Sequence, residues 1–255
     1  MDATESTLEI FNAILLENAS VREGETVLDV GCGGGVNSIE MAVRVGPSGR
    51  VTGVDISPPI INIARKRGNG FQNLDFLEGD AARLNFAREH YDLILSRFGV
   101  MFFSDPVTAF INLRKSMKPT GRLEFLCWRT LEENAWMNIP TQAIFSVLPP
   151  AVPPPAPGAP GPFSLASPGR IEEILLASGF ETPSAKEVDV TMNLGPLADA
   201  VEYFTRMGPG AAVMMQADES QKSAVTRAIT DSLEPFTING IVNTPAAAWI
   251  VSARV

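Results

Sequence analysis

The chain has 255 residues and a net charge of −9, with 45% hydrophobic and 19% charged residues. That balance suits a globular protein able to bury one sizeable core, and its acidity argues against a nucleic-acid partner, which needs a basic surface. No apolar run reaches the length of a membrane span and the first residues lack a signal-peptide pattern, so a cytoplasmic location is expected.

Residues 5–19 read as a short amphipathic helix with Leu8, Ile10, Phe11, Ile14, Leu15 and Leu16 as its apolar set. A strand at 27–30 carries Asp29, breaks into a turn with Gly31, Gly33 and Gly35, and runs into a helix at 36–45. Glycines let a backbone approach a ligand closely, and the following helix amino terminus offers free N–H groups to an anionic group. The second strand, 50–55, ends in Asp55, about where a βαβ unit sets a carboxylate beside a ribose. Ionised Asp accepts hydrogen bonds only, which suits two vicinal hydroxyls. A helix at 58–67 opens on two prolines, tolerated in a first turn. A strand at 73–77 leads into Glu78-Gly79-Asp80-Ala81; a strand at 91–96, a helix at 106–117 and a strand at 121–128 follow. Right-handed crossovers between such strands give a doubly wound sheet with a ligand at the carboxyl ends.

Residues 149–162 hold eight prolines, which excludes regular helix or central strand and predicts an extended, stiff lid. Ser167 caps the next helix, Pro168 opens it and Gly179 stops it. A strand at 186–192, a helical insertion at 196–235 and a last strand at 246–253 complete the chain. One domain is expected, residues 1–255: an amino-terminal helix region 1–26, a cofactor core 27–128, and lid insertions 130–165 and 196–240 that form the substrate chamber. Cys32, Cys127 and the single histidine, His90, make no metal-ligand spacing, and the thiols are expected to be reduced and buried.

The acidic-x-Gly-x-Gly-x-Gly run Asp29–Gly35, followed in order by Asp55 and Asp80-Ala81, resembles motif I and its companions in the class I S-adenosylmethionine-dependent methyltransferases. The resemblance implies an α/β fold: a doubly wound, Rossmann-like, seven-stranded, mostly parallel sheet with helices on both faces and an inserted lid. It implies S-adenosyl-L-methionine as cofactor, S-adenosyl-L-homocysteine as product, and cofactor contacts from Asp29, Gly31, Gly33, Gly35, Asp55, Ile56, Asp80, Ala81 and Ser96. In that family the acid at the position of Asp80 reaches the adenine amino group, and the backbone N–H at the position of Ala81 reaches the ring. Ser96–Phe103 with Asp105-Pro106, Trp128-Arg129, and Gly161-Pro162-Phe163 with Ala177–Phe180 further resemble small-molecule members related to the ubiquinone and menaquinone biosynthesis methyltransferases. Here 26 residues precede the first strand, fewer than in many relatives.

Methyl transfer from a sulfonium requires alignment and exclusion of water, with a base only for a protonated nucleophile. His90 precedes its strand and so stands at the end away from the cofactor. Arg97 and Ser96 are the catalytic candidates. Arg97, Phe98, Phe102, Trp128, Arg129 and Trp136 are the expected substrate contacts. They suit a small, partly apolar metabolite whose carboxylate faces Arg97 or Arg129; the alternative for Arg97 is an ion pair with Asp92, Asp105 or the cofactor's carboxylate. The competing function is a cofactor-binding protein that does not methylate or needs a partner subunit. A nicotinamide-dependent dehydrogenase is disfavoured by Val36, where a dinucleotide fingerprint needs a small residue, and by Asp80. A homodimer is expected, with helix 5–19 packing on its own sheet or on a second subunit.

Overall fold

The computed structural model describes residues 7–150, 156 and 158–255. Its strands are β1 (Thr26–Val30), β2 (Arg50–Asp55), β3 (Leu74–Glu78), β4 (Tyr91–Arg97), β5 (Met117–Trp128), β6 (Glu181–Pro196), β7 (Thr237–Ile238) and β8 (Ile241–Arg254). The helices are α1 (Glu9–Ala19), α2 (Val36–Val45), α3 (Pro58–Arg67), α4 (Pro106–Ser116), α5 (Ala135–Val147), α6 (Pro168–Ala177), α7 (Leu197–Arg206), α8 (Gly208–Gln216) and α9 (Glu219–Leu233).

The sheet runs in the order β3-β2-β1-β4-β5-β8-β6, with β7 paired to β8. β1 to β5 are parallel to their neighbours and β8 is antiparallel to β5. Order reverses between β2-β1 and β4, which opens a crevice at the carboxyl ends of those strands. β5 starts earlier than expected because the Lys118–Gly121 turn is absorbed within it: Tyr91 pairs with Met117, but Leu93 pairs with Arg122. β8 also starts early, after an Asn239-Gly240 turn with φ of 51° and 80° that suits a tight hairpin.

The chain divides into two compact units. The first takes in residues 11–129, 158–188 and 248–255 and holds most of the sheet. Within it α1 packs on the molecule's own sheet: Phe11, Leu15, Leu16 and Ala19 are fully buried, and Asn18 donates to Glu124 Oε2 (2.7 Å) on β5. Arg122 donates to the terminal carbonyls Ala19 O (2.9 Å) and Ser20 O (3.1 Å) and pairs with Glu25 at 2.7 Å. These bonds satisfy the helix end, whose last carbonyls have no partner within the helix.

The second unit takes in residues 1–10, 130–157 and 189–247. Here α9 packs against α5 and α7, with Ile144, Phe204, Val225, Ile229 and Leu233 buried. Asp218 and Gln221 form a reciprocal capping box on α9. α5 is a regular helix within the 130–165 stretch expected as a lid insertion. Pro140 lies inside it, and Asn134 is buried just before it, exchanging hydrogen bonds with both backbone groups of Ala247 (3.0 Å each). Residues 158–165 do not join this unit as expected; they pack on the sheet unit, where Leu165 is buried. Within the proline-rich stretch, residues 151–155 and 157 lie outside the described residues, as do residues 5 and 6 of the expected first helix. Ser167 occupies the cap position of α6 without a side-chain cap bond.

Candidate cofactor cleft

Strand β1 ends in a turn that only glycine accommodates. Gly31 has φ of 70°, and a Cβ added there would stand 2.8 Å from Gly99 Cα, backbone against backbone. Its N–H, like that of Cys32, donates to Val54 O (2.8 and 3.0 Å), so the turn is tied to β2. Asp55 closes the arrangement: Gly33 N–H donates to Oδ2 (3.0 Å) and Ser57 N–H to Oδ1 (2.9 Å). Both oxygens are fixed, and each keeps lone-pair capacity for a ligand hydroxyl. Gly35, also at positive φ (83°), precedes α2 and makes room for Phe76; a Cβ there would meet the ring at 2.8 Å. Gly53 leaves space for the same ring, with a Cβ falling at 2.7 Å. Two glycines thus serve packing beneath the turn.

The loop after β3 forms the second part. Gly79 N–H donates to Asp55 O (2.9 Å), Ala82 N–H to Asp80 Oδ1 (2.9 Å), and Asn112 of α4 donates to Ala81 O (3.1 Å) and Leu84 O (2.9 Å). Asp80 and Ala81 are therefore held by both β2 and α4.

At the end of β4, buried Ser96 donates to Val30 O (2.7 Å) and accepts from Gly99 N–H (3.1 Å), stitching β1 to the chain beyond β4. Phe98 adopts φ of 63°, uncommon for a side chain of this size. The ring stacks on Trp128 (4.0 Å between centroids, 9° apart), and Phe11 of α1 meets both edge-on. The packing of three aromatic rings holds the strained backbone in place.

Charges separate by face. Asp29 pairs across to Leu95, two residues before Arg97, and Arg97 pairs to Leu126, two before Trp128, so Asp29, Arg97 and Trp128 share the face that α1 covers. Asp29 is fully buried and accepts from Ser38 Oγ at 2.6 Å. Burial pushes its carboxyl up to about 6, against the pull of Ser38 and Arg97, with Asp55 adding to the rise. Arg129 lies over Trp249 at 5.2 Å, within 3.8 Å of Glu187. Trp249 pairs with Cys127, which puts Arg129 on the opposite face from Arg97. The two arginines named as alternatives for one carboxylate therefore stand on opposite faces of the sheet. Asp92 is held by Lys118 (2.7 Å) and Thr26 N–H (2.9 Å), and Asp105 caps α4 through Thr108. His90 is exposed at the amino end of β4.

A cleft of about 310 Å³ joins these parts, within the ordinary range for small-molecule sites. Gly31, Asp55, Ile56, Asp80, Ala81, Arg97, Phe98 and Phe102 of the expected residues line it. Asp29, Gly33, Gly35 and Ser96 are not among its lining residues, but Gly33 and Ser96 bond directly to residues that are. Trp128 backs Phe98 and is itself buried; Trp136 belongs to the helical unit, where its indole N–H donates to Asn134 Oδ1 (3.1 Å). Val30, Val54, Gly79, Gly99 and Phe103 also line the cleft and are not among the expected contacts. The signal for Gly99 was its place two residues beyond Arg97, opposite the glycine turn.

A doubly wound sheet with β8 antiparallel at its end and an acid-tipped β2 beside a glycine turn defines the class I methyltransferase fold. Residues 27–121 match the family model described as methyltransferase domain. The Staphylococcus aureus demethylmenaquinone methyltransferase is 29% identical over 113 residues, 44% of this chain and 47% of that protein, so the chain spans about half the length of the curated relatives it matches. Among solved structures, an S-adenosylmethionine-dependent methyltransferase of Aquifex aeolicus superposes with a TM-score of 0.56 at 24% identity, over 74% of this chain and 93% of that one. The geranyl diphosphate C-methyltransferase of Streptomyces coelicolor, bound to S-adenosyl-L-homocysteine, gives 0.56 at 15% identity over 97% and 80%. Residues 27–121 thus match a methyltransferase domain on the class I methyltransferase fold and are distantly similar to demethylmenaquinone methyltransferase.

Proposed function

We propose that the protein transfers a methyl group from S-adenosylmethionine to a small-molecule acceptor bearing a carboxylate. The observation that carries this is Asp55, fixed through both oxygens at the tip of β2 inside the cleft and facing the Asp80-Ala81 loop. The cradle fits the cofactor: Gly31 and Gly99 meet where a Cβ would collide, giving a wall of bare backbone. Asp55 accepts from the ribose hydroxyls, Asp80 from the adenine amino group, and Ala81 N–H serves the ring. Ile56 and Phe102, 69% and 56% exposed, offer apolar surface to the purine. When bound, the cofactor supplies a methyl group already activated by a positive sulfur.

The residues of the chain align the acceptor and exclude water. Among the described residues that line the cleft there is no histidine, lysine or cysteine, so an acceptor that attacks as a carboxylate or neutral amine suits it best. Arg97 supplies the cationic contact, since Arg pairs well with carboxylates and Arg129 lies on the other face. The curated relative is named for demethylmenaquinone and the Streptomyces structure for geranyl diphosphate, both small molecules. The test is release of S-adenosylhomocysteine with a panel of small carboxylic acids. Arg97→Met is expected to raise the acceptor KM roughly tenfold or more, the size of a lost charged hydrogen bond, and Arg129→Met to leave it unchanged. An unchanged KM in Arg97→Met would remove the carboxylate from the account.

A further inference from the structure

The stretch Gly161-Pro162-Phe163 is unused by the reading above, yet it docks on the cleft wall. Met101 is the central residue of a 3-10 turn, Val100–Phe102, that follows β4. Its carbonyl accepts Ser164 Oγ at 2.6 Å, from 63 residues away in sequence, and Gly161 N–H at 3.1 Å. Its sulfur accepts Trp128 N–H at 3.4 Å. The turn's own bond, Phe102 N–H to Gly99 O, is 3.4 Å long, near the limit of a useful hydrogen bond. The turn therefore depends on bonds from outside, and Phe102 and Phe103, which line the cleft, extend directly from it.

The docked segment is itself braced. Arg170 donates to Ser164 O (3.0 Å) and Gly158 O (3.3 Å), the Cys127 thiol to Leu165 O (3.6 Å), and Trp249 Nε1 to Ala166 O (2.8 Å). Three elements, α6, β5 and β8, thus fix the partner of one carbonyl. We infer that Gly161–Ser164 is a positioning element of the cofactor cleft: acting through the Met101 carbonyl, it sets the Phe102–Phe103 wall against the adenosine side. Ser164 touches no ligand in this scheme. The inference rests on the cofactor reading of the cleft.

Calorimetric titration of Ser164→Ala with S-adenosylhomocysteine, and with 5′-methylthioadenosine, which lacks the amino-acid part, tests it. Both dissociation constants are expected to rise by the same factor, about fivefold, the size of one buried hydrogen bond. Ser164→Thr, which keeps the hydroxyl, is expected to restore most of the affinity. A merely structural role would lower Tm and leave the affinities alone; wild-type affinity for both ligands in Ser164→Ala would overturn the inference. Should Ser164→Ala not fold, Ser164→Cys, similar in size but a weaker donor, carries the same comparison. If the wild-type protein bound neither ligand, the cofactor reading itself would fail, and this inference with it.

Discussion

The two walls of the cleft are built by different means. The wall of β1 and β2 is local: a glycine turn, one carboxylate, and backbone N–H groups within a short stretch of chain bonded at 2.8–3.0 Å. The wall beyond β4 is assembled from distance, with Phe98 held at positive φ by rings from α1 and β5 and Met101 held by Ser164. The first is rigid because its geometry leaves no alternative. The second is rigid only while remote partners stay in place, so local substitutions should break the first and distant ones the second.

Among changes that leave the Asp55 carboxylate in place, Gly31→Ala should have the largest effect on cofactor binding. Its Cβ would meet Gly99 Cα at 2.8 Å while the residue holds φ of 70°, so backbone must shift, at a cost of roughly 1–3 kcal/mol and a loss of cofactor affinity of about tenfold or more. Wild-type affinity in this variant, read by calorimetry, would show that the turn is looser than described. Phe98→Ala should follow. It removes the ring stacked on Trp128 and leaves a non-glycine residue at positive φ, for a loss of about 3 kcal/mol of stability; chemical denaturation measures it. A Phe11→Leu variant, altering the same cluster from α1, should lose less. If Phe98→Ala unfolds at the wild-type denaturant midpoint, the aromatic cluster is not what holds that wall.

The smallest expected effect is one of pH. Asp29 has its carboxyl pushed up from an ordinary 3.8 to about 6, chiefly by burial. The folded chain therefore keeps this proton where the unfolded chain has released it. Its contribution to stability is fullest in acid and is lost as pH rises from about 4 through about 6. Asp29→Asn should accordingly raise Tm by about 2–4 °C near pH 8 and change it little near pH 4.5. Thermal melts at both values check this; equal shifts at the two would contradict it.

The same contrast explains what could be read from the sequence. α2, β2 and α3 fall where the glycine turn, the apolar runs and the two prolines put them, because those signals act within a few residues. Asp55, Asp80 and Ala81 were legible for the same reason. β5 and β8 were misjudged at their starts because Lys118–Gly121 and Asn239-Gly240 are turn sequences that the sheet absorbs or begins from. α5 carries Pro140 inside it, a poor helix signal, and the face that Arg129 takes is not visible until Trp249 of a distant strand is placed. The bond from Ser164 to Met101 has no local signature at all.

The central claim is that this cleft holds S-adenosylmethionine through Asp55. Calorimetric titration of the wild-type protein and Asp55→Ala with S-adenosylmethionine and S-adenosylhomocysteine tests it most directly. Micromolar binding of both ligands by the wild type, weakened about a hundredfold in Asp55→Ala by the loss of charge-assisted bonds, is the predicted result. Equal affinity in the two proteins, or no binding by the wild type, would contradict the account.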